Sequence, residues 1–372
     1  MRRLTFLIAL SLALSAAPAA ADPTDPAPYL PAPTGRHPVG TASWHLVDTA
    51  RPDPWVPSAG HRELMVSLFY PAAPGHGRKK QYMTPAESRA VLEEAGITTV
   101  PPDVLSTVRA NAVADARPVG RRHGLPLVVL SPGFKRPRAT LTTLAEDLAS
   151  HGYVVVVIDH TYENVATTFP DGRVAPCAAC GQHDPAFWVK LRDGRAADVS
   201  FVLDQLTGPL RDRPGANLIA MGGHSVGGAS SLVAARVDDR VRAAIDVDGS
   251  IITVGTEGEL SRPVMLLGRQ NAYAPGSPGG SADTWQEHWP TLTGWKRWLV
   301  VAGMEHPSFT DLGVVGDQLG LRFGDVEGLR GAAITRAYVR AFFDLHLRGE
   351  RQPLLDGPSA DYPEVSVVAG LS

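Results

Sequence analysis

The sequence has little cysteine, little net charge and, beyond its first residues, no hydrophobic run long enough to cross a membrane. With only two cysteines in 372 residues, the chain cannot be a disulfide-rich scaffold or supply a four-thiolate metal site. Its 35 basic and 38 acidic residues nearly cancel, so nothing indicates nucleic acid or a strongly charged membrane surface as a partner. What is present is a 44% hydrophobic content, which supports a sizeable globular core.

The beginning of the sequence is typical of a secretory signal peptide. Arg2 and Arg3 form a basic start, residues 4–17 are apolar but too few to span a bilayer, and residues 19–21 offer a cleavage site of small side chains. We therefore expect residues 1–21 to be removed near Ala21 and the protein to be secreted. A Pro-rich, irregular leader over residues 22–40 would follow. The alternative, a retained membrane anchor, is disfavoured by the short apolar run.

From about residue 125 onward, strand patterns alternate with helix patterns. Residues 127–131 and 153–158 are continuous apolar runs, typical of strands that are buried on both faces, and a helix over residues 140–150 connects them. Such a unit predicts two parallel strands with a right-handed crossover. Its continuation predicts an α/β fold, a three-layer sandwich with a mostly parallel central sheet, as one domain over residues 41–372.

Two segments outside this alternation are less regular. Thr84, followed by a proline and then by Glu87, forms a capping box that predicts a helix to about Ala95. Residues 101–116 favour a second short helix. We expect these helices, near residues 84–115, to form a cap, to touch a lipid surface or to be a solvated flank. Residues 161–190 are expected to be a long irregular excursion.

The two cysteines, Cys177 and Cys180, stand three positions apart inside that excursion. A C-x-x-C pair can bind zinc or act in redox chemistry, but no second ligand pair of matching spacing exists. The pair also lies in a Pro/Gly-rich loop rather than at the start of a helix. In an exported protein, a local disulfide is the expected state, and so small a ring contributes about 2 kcal/mol.

The segment "MGGHSVGGASS" over residues 221–231 contains a Gly-x-Ser-x-Gly motif centred on Ser225. The motif alone is a weak signal in a Gly-rich sequence, so its context has to decide. A predicted buried strand precedes it and a helix of small residues follows it, which is the order of a nucleophile elbow. A phosphate-binding turn is disfavoured, because both the dinucleotide fingerprint and the P-loop lysine are missing.

A serine nucleophile needs a base, and the base needs an orienting carboxylate. In α/β-hydrolases these follow the serine in the order acid, then histidine. Only three histidines follow residue 250. His288 lies in a Trp-flanked loop and His346 inside the terminal helix pattern, whereas His306 directly follows a predicted strand. His306 is therefore the predicted base.

The acid is less obvious from the sequence. Asp248 ends the predicted strand "AAIDVDGS" at the carboxyl edge of the sheet, and Asp246 lies two residues earlier on the same strand face. We predict Asp248 as the acid, with Asp246 and, more remotely, Asp283 as the alternatives. The backbone N–H groups of Phe134 and Val226 are predicted to form the oxyanion hole. No metal or other cofactor is expected.

Together these motifs resemble the plasma-type (group VII) platelet-activating factor acetylhydrolases and their bacterial esterase relatives. The resemblance spans about residues 33–311, and Asp248 follows Ser225 at a spacing of 23, as in that family. The pattern His-x-x-Phe-x-Asp at His306 is equally characteristic. The segments that carry it are "PTGRHPVG", "VSLFYPA", "LVVLSPG", "EDLASHGYVVVVIDH", "GGHSVGGAS", "AAIDVDG" and "HPSFTD".

The resemblance implies an α/β-hydrolase fold and a metal-independent Ser-His-Asp hydrolase of carboxylic esters. Two departures leave the acyl and head-group preference open: the loop 161–190 does not align, and "IDVDG" lacks the aromatic residue that often follows the acid. We expect a secreted serine esterase for short-acyl or acetyl-phospholipid-like esters, with at most weak contact to lipid surfaces. A lipase or cutinase-like polyester hydrolase is the alternative, and a non-catalytic binding protein the remote one. The oligomeric state stays open.

Overall fold

The fold is built on one large sheet, seen in a computed structural model that describes residues 27–119, 124–207, 218–252 and 258–368. The described strands are β1 (Val39–Pro52), β2 (His61–Pro71), β3 (Lys79–Gln81), β4 (Arg109–Ala114), β5 (Leu127–Ser131), β6 (Val154–His160), β7 (Ala166–Thr168), β8 (Val174–Pro176), β9 (Ile219–His224), β10 (Val241–Val247), β11 (Val264–Arg269), β12 (Lys296–Val301) and β13 (Val365–Val367). The described helices are α1 (Pro85–Glu94), α2 (Thr142–Ser150), α3 (Pro185–Thr207), α4 (Val226–Val237), α5 (Gln270–Tyr273), α6 (Ser281–His288), α7 (Asp311–Gln318) and α8 (Gly328–Arg348).

The sheet is parallel in its centre and mostly antiparallel toward its edges, where β1 and β4 alone pair in the parallel sense among the described strands. Its order is β13-β12-β11-β10-β9-β5-β6-β2-β1-β4-β3, and the strands from β12 to β6 run parallel. Strand β2 joins β6, and β13 joins β12, in the antiparallel sense. Helices α2 and α8 cover one face, while α3, α4 and α6 cover the other. This three-layer arrangement confirms the predicted α/β fold class.

The two covered faces explain why the central strands are continuous apolar runs. Along β5, Val128 and Leu130 enter the core beneath α2 and α8, and Leu127 and Val129 enter the core on the opposite face. Each strand in the middle of the sheet therefore buries consecutive side chains. The carboxyl ends of these strands meet at one edge of the sheet, where an open α/β fold places its site.

The N-terminal half departs from the sequence-based expectation in three places. The second short helix predicted over residues 101–116 is wrong: only a 3-10 turn, Val104–Thr107, precedes β4. The alternating burial of Ala110 and Ala112 fits a strand, and β4 pairs with both β1 and β3. Strand β1 was not predicted at all. The prediction that residues 161–190 are irregular is also partly wrong, because this segment contains the β7–β8 hairpin and the start of α3.

The segment preceding β1 packs on the rest of the protein. Leu30 is buried, and the backbone N–H of Thr34 donates to Asp147 at 2.8 Å. The predicted signal peptide, residues 1–21, lies outside the described residues, so its expected removal stays a prediction. Within the described chain, none of the helices combines the length and the apolar character needed to cross a membrane.

Candidate active site

Ser225 occupies a sharp turn between the end of β9 and the start of α4. Its backbone has φ 58° and ψ −129°, a strained conformation for a residue with a side chain. The turn also needs glycine on both sides. A Cβ at Gly223 would lie 2.3 Å from the carbonyl carbon of Gly227, and one at Gly227 would lie 2.0 Å from the carbonyl oxygen of Ser131. The local sequence therefore builds the geometry of a nucleophile elbow.

Asp248 and His306 are in direct contact at the neighbouring strand ends. The His306 Nδ1–H donates to Asp248 Oδ2 at 2.5 Å. The Asp248 side chain is fully buried, whereas that of His306 is 43% exposed. Arg269 also holds the carboxylate, because its backbone N–H donates to Oδ1 at 2.7 Å and its guanidinium contacts Oδ2. The imidazole thus presents Nε2 as its free, proton-accepting nitrogen.

Backbone contacts place this His–Asp pair against the serine turn. The N–H of Ser225 donates to the carbonyl of Val247, the residue before Asp248, at 2.8 Å. His224 lies between the turn and His306: its Nε2 donates to the His306 carbonyl at 2.8 Å, and the two rings lie 4.3 Å apart. The predicted serine, acid and histidine therefore converge at the carboxyl ends of β9, β10 and β12.

The alternatives to these residues lie elsewhere. Asp246 is fully buried and faces α4, since a Cβ at Gly228 would lie 2.0 Å from its Oδ1. Burial and the neighbouring Asp248 charge raise the pKa of Asp246 well above its usual value, which disfavours its charged form. Asp283 lies in the first turn of α6. The other two histidines also have partners away from the site: His288 bonds the Thr284 carbonyl, and His346 packs on the rings of Trp295 and Phe342.

His224 is a neutral neighbour of the site. Burial, reinforced by the adjacent His306, lowers the pKa of His224 well below its usual value. Because its Nε2 carries the hydrogen that bonds the His306 carbonyl, it holds the backbone of His306 without adding charge. The sequence analysis did not predict this role of His224.

The loop after β5 lies against the nucleophile. A Cβ at Gly133 would stand 3.4 Å from Ser225 Cβ. Within the described residues, the next backbone N–H, that of Phe134, donates to no acceptor. The N–H of Val226 begins helix α4 and lacks an intrahelical partner by its position. Both groups that the sequence proposed as oxyanion donors are thus placed beside Ser225.

A buried ionic cluster anchors this loop. Arg195 on α3 donates to the Ser131 hydroxyl at 3.3 Å, contacts the Pro132 carbonyl, and donates to Glu163 at 2.7 Å. Arg62 on β2 joins Glu163 and Asp198 at 3.1 and 2.7 Å. Burial opposes ionisation of Asp198, yet the Arg62 charge lowers its pKa well below the usual range. The cluster therefore keeps its charges in pairs, as buried ions require.

Sequence reasoning did not find this cluster, although one signal was present. Arg195 and Asp198 follow Leu191 and precede Val202 at helical spacing, so they occupy the apolar stripe of α3 rather than its solvated face. A charged pair on such a stripe indicates buried partners. His160 does bond within the cluster, to Asp198 and Ser131, each at 2.9 Å.

An aromatic cluster, formed by Trp55, Phe134, Phe187 and Trp188, adjoins the proposed oxyanion donors. The Phe134 ring lies 5.4 Å from the rings of both Phe187 and Trp188. Val226, Ile252 and Cys177 pack into the same group. Cys177 forms a disulfide with Cys180, so the structure closes the loop beneath this cluster covalently. Phe134 and Trp188 stay half-exposed and can contact a ligand.

Three ligand-type side chains, His224, Asp248 and His306, have their donor atoms within 4.8 Å of one another. A divalent metal would need to stand about 2.0–2.2 Å from each ligand atom. The 2.5 Å contact between Asp248 and His306 leaves no room for an ion between them. The Asp248 and His306 side chains therefore form a hydrogen-bonded pair rather than two ligands of one ion.

Comparisons with known proteins find similarity to several esterases. Residues 26–206 match the family model "Platelet-activating factor acetylhydrolase, isoform II". A probable 1-alkyl-2-acetylglycerophosphocholine esterase of Arthroderma benhamiae is 28% identical, with 90% of this chain and 92% of that protein covered. A Thermobifida fusca cutinase is 27% identical over about half of each chain, 50% and 56%. A solved ferulic acid esterase from Streptomyces cinnamoneus is 45% identical with a TM-score of 0.82, and covers 92% of this chain and 100% of its own.

Proposed function

This chain belongs to the α/β-hydrolase esterases related to platelet-activating factor acetylhydrolase, and from that premise we propose that Ser225, His306 and Asp248 form its catalytic triad. That it is a carboxylic ester hydrolase follows from these relatives. The observation that carries the assignment of residues is the contact of His306 with Asp248 beside the strained turn at Ser225.

In the proposed mechanism, His306 Nε2 takes the proton of Ser225 as Oγ attacks the ester carbonyl carbon. Asp248 stabilises the resulting imidazolium, and the N–H groups of Phe134 and Val226 bind the oxyanion. The tetrahedral intermediate collapses, the C–O bond breaks, and His306 gives its proton to the departing alcohol. Water, activated by the same histidine, then hydrolyses the acyl-enzyme and regenerates the serine.

The test is hydrolysis of p-nitrophenyl acetate by the wild type and by the Ser225→Ala variant. We expect the variant to lose activity by about 10³-fold or more. Labelling with a fluorophosphonate should add one adduct, located at Ser225 by peptide mass spectrometry. Full turnover by the variant, or labelling at another residue, would show that the nucleophile is misassigned. No labelling and no turnover would support the remote alternative, a non-catalytic binding protein.

For the substrate we propose esters with a short acyl group, including acetyl phospholipids. The support is the similarity to the 1-alkyl-2-acetylglycerophosphocholine esterase over nearly the whole chain. A second candidate is esters of aromatic acids. It is favoured by the 45% identity to a ferulic acid esterase and by the half-exposed rings of Phe134 and Trp188 beside the proposed oxyanion hole, on which an aromatic acyl group can stack.

One substrate panel separates these candidates. It contains p-nitrophenyl esters of increasing acyl length, an acetyl phospholipid, methyl ferulate and a polyester film. Preference for acetate supports the first candidate, and preference for ferulate, abolished by Trp188→Ala, supports the second. Release of monomers from the film would instead favour the cutinase-like alternative, which the Thermobifida cutinase similarity supports.

We also propose that the protein is exported and cleaved near Ala21. The support is the basic and apolar start of the sequence together with the Cys177–Cys180 disulfide, which is stable in oxidising compartments. Expression of the full sequence in a secreting host, followed by intact-mass analysis of the culture medium, tests this. A protein that retains residues 1–21 would contradict it.

A further inference from the structure

An apolar cavity with a volume of about 330 Å³ lies near the loop that follows the proposed catalytic histidine. It lies between α1 and α7 and shares no lining residue with the aromatic cluster. Its size falls within the roughly 300–1,000 Å³ of small-molecule sites. The apolar side chains that line it include Val91, Leu92, Leu312, Val315, Leu319 and Phe323.

Two residues connect this cavity with the catalytic residues. Pro307, which directly follows His306, forms part of its wall. Arg136 forms another part, and its Cγ would lie 3.6 Å from a Cβ placed at Gly133, the glycine that packs against Ser225. The cavity therefore lies next to the loops that hold the histidine and the oxyanion donors, rather than at a remote face of the protein.

The charged groups at the cavity wall already have partners. The Arg136 guanidinium lies 2.8 Å from Glu94 Oε2, and Arg322 donates to the carbonyls of Gly324 and Asp325 at 3.3 and 2.6 Å. These arginines therefore contribute their apolar stems to the wall while their heads are engaged elsewhere. The cavity thus selects for an uncharged, apolar group.

The direction of proton transfer decides which part of an ester faces this cavity. When the tetrahedral intermediate collapses, His306 protonates the alcohol oxygen, so this oxygen must lie within hydrogen-bond reach of Nε2. The acyl group stays bonded to Ser225, next to Val226 and the aromatic cluster. The group attached to the alcohol oxygen therefore leaves the reacting centre on the side of His306, where the cavity opens.

We propose that this cavity is a binding site for the alcohol portion of the substrate, and that it takes an uncharged apolar chain of medium length within that portion. The inference rests on the proposed function, because it uses His306 as the proton donor. It assigns α1 and α7, through their facing apolar side chains, as determinants of alcohol specificity. The aromatic cluster, in contrast, determines which acyl groups are preferred.

The test uses acetate esters of methyl, butyl, hexyl and octyl alcohols, followed by pH-stat titration. Burial of each added methylene should raise kcat/KM by about fourfold until the cavity is filled. Methyl esters of acids of the same lengths form the comparison series, and they should not follow the same rise. Activity on methyl acetate and p-nitrophenyl acetate reports the proposed function independently of chain length.

Matched variants then assign the effect to the cavity. Ala95 is exposed and lines the cavity at the end of α1, so Ala95→Phe places a ring in its mouth without a core clash. Ala86 is equally exposed on the first turn of the same helix and does not line the cavity, so Ala86→Phe is the control. Leu312→Ala enlarges the cavity instead.

We expect Ala95→Phe to lower the octyl-to-methyl ratio of kcat/KM about tenfold or more, through the KM for octyl acetate. Ala86→Phe should keep the wild-type ratio, and Leu312→Ala should shift the optimum to longer alcohols. An active wild type with a flat alcohol series, or an equal effect of both phenylalanine variants, would overturn the inference and leave the proposed triad standing. If the wild type showed no esterase activity on any of these esters, the proposed function itself would be overturned.

Discussion

His306 Nδ1 lies 2.5 Å from Asp248 Oδ2, and the backbone N–H of Arg269 fixes the other oxygen of the same carboxylate. The acid therefore cannot rotate away from the imidazole without losing a second hydrogen bond. Asp246, two residues earlier, is buried against α4, and burial raises its pKa well above the usual value. Substituting Asp248 and Asp246 one at a time therefore tests which carboxylate orients His306.

We predict that Asp248→Asn lowers kcat for p-nitrophenyl acetate by about 10⁴-fold, because the amide no longer holds the imidazole in the accepting tautomer or stabilises its charge. The matched variant Asp246→Asn should keep kcat within about tenfold, since the Asp246 carboxyl faces α4 whereas His306 bonds Asp248. Steady-state kinetics at neutral pH, with circular dichroism to confirm folding, measures both. Equal losses in the two variants would contradict the assignment of Asp248.

The sequence was sufficient to predict those parts of the site that depend on the order of strands and helices along the chain. Ser225 follows a strand and precedes a helix, and the acid and the histidine each follow a strand, so chain order alone brings them to one edge of a parallel sheet. The choice between Asp248 and Asp246 could not be decided this way. It depends on which way a carboxylate faces across the strand, and only the three-dimensional contacts provide that.

Other parts depended on tertiary contacts that no local pattern contains. The Ala-rich residues 109–114 favour a helix by propensity, yet they form β4 because β1 and β3 pair with them on both sides. The anchoring arginines, Arg62 and Arg195, come from a strand and a helix that are far apart in the sequence. Their partners could not be identified before the fold brought them together.

Arg195 provides the second prediction, since it holds the loop that presents Phe134. We predict that Arg195→Lys lowers kcat by about tenfold or more with little change in KM, because a single ammonium cannot bond Ser131, the Pro132 carbonyl and Glu163 together. The control Arg89→Lys, on the exposed face of α1, should behave as wild type. A rise in KM with kcat unchanged would argue that Arg195 acts on ground-state binding instead.

The disulfide provides the third prediction. Closing a ring as small as that between Cys177 and Cys180 contributes about 2 kcal/mol, so the double variant Cys177→Ser/Cys180→Ser should melt lower by about 2–3 °C in a chain of this length. The loop packs beneath Trp188 and Phe134, and we therefore expect kcat/KM to fall more for methyl ferulate than for p-nitrophenyl acetate. Thermal unfolding with and without a reductant measures the first effect. An unchanged melting temperature in both the variant and the reduced wild type would contradict it.

The fourth prediction concerns the aspartate of the His-x-x-Phe-x-Asp pattern. Asp311 is buried, and its carboxyl accepts the backbone N–H of Thr143 at 3.0 Å, which ties the start of α7 to the start of α2. Burial raises the pKa of Asp311 to about 7. An aspartate in the unfolded chain titrates at about 3.9, so between these values the folded protein binds more protons than the unfolded chain.

The sign of the pH effect follows from that difference. The contribution of Asp311 to stability is fully present below about pH 4 and is lost as the pH rises through about 7, at up to about 1.4 kcal/mol per pH unit. Asp311→Asn cannot ionise, so its free energy of unfolding should fall less steeply between pH 4.5 and 7.5 than that of the wild type. Urea denaturation at several pH values measures this. Asp325→Asn, at an exposed site, is the control and should follow the wild-type curve. Parallel curves for all three proteins would mean that Asp311 titrates normally and that burial does not hold its proton.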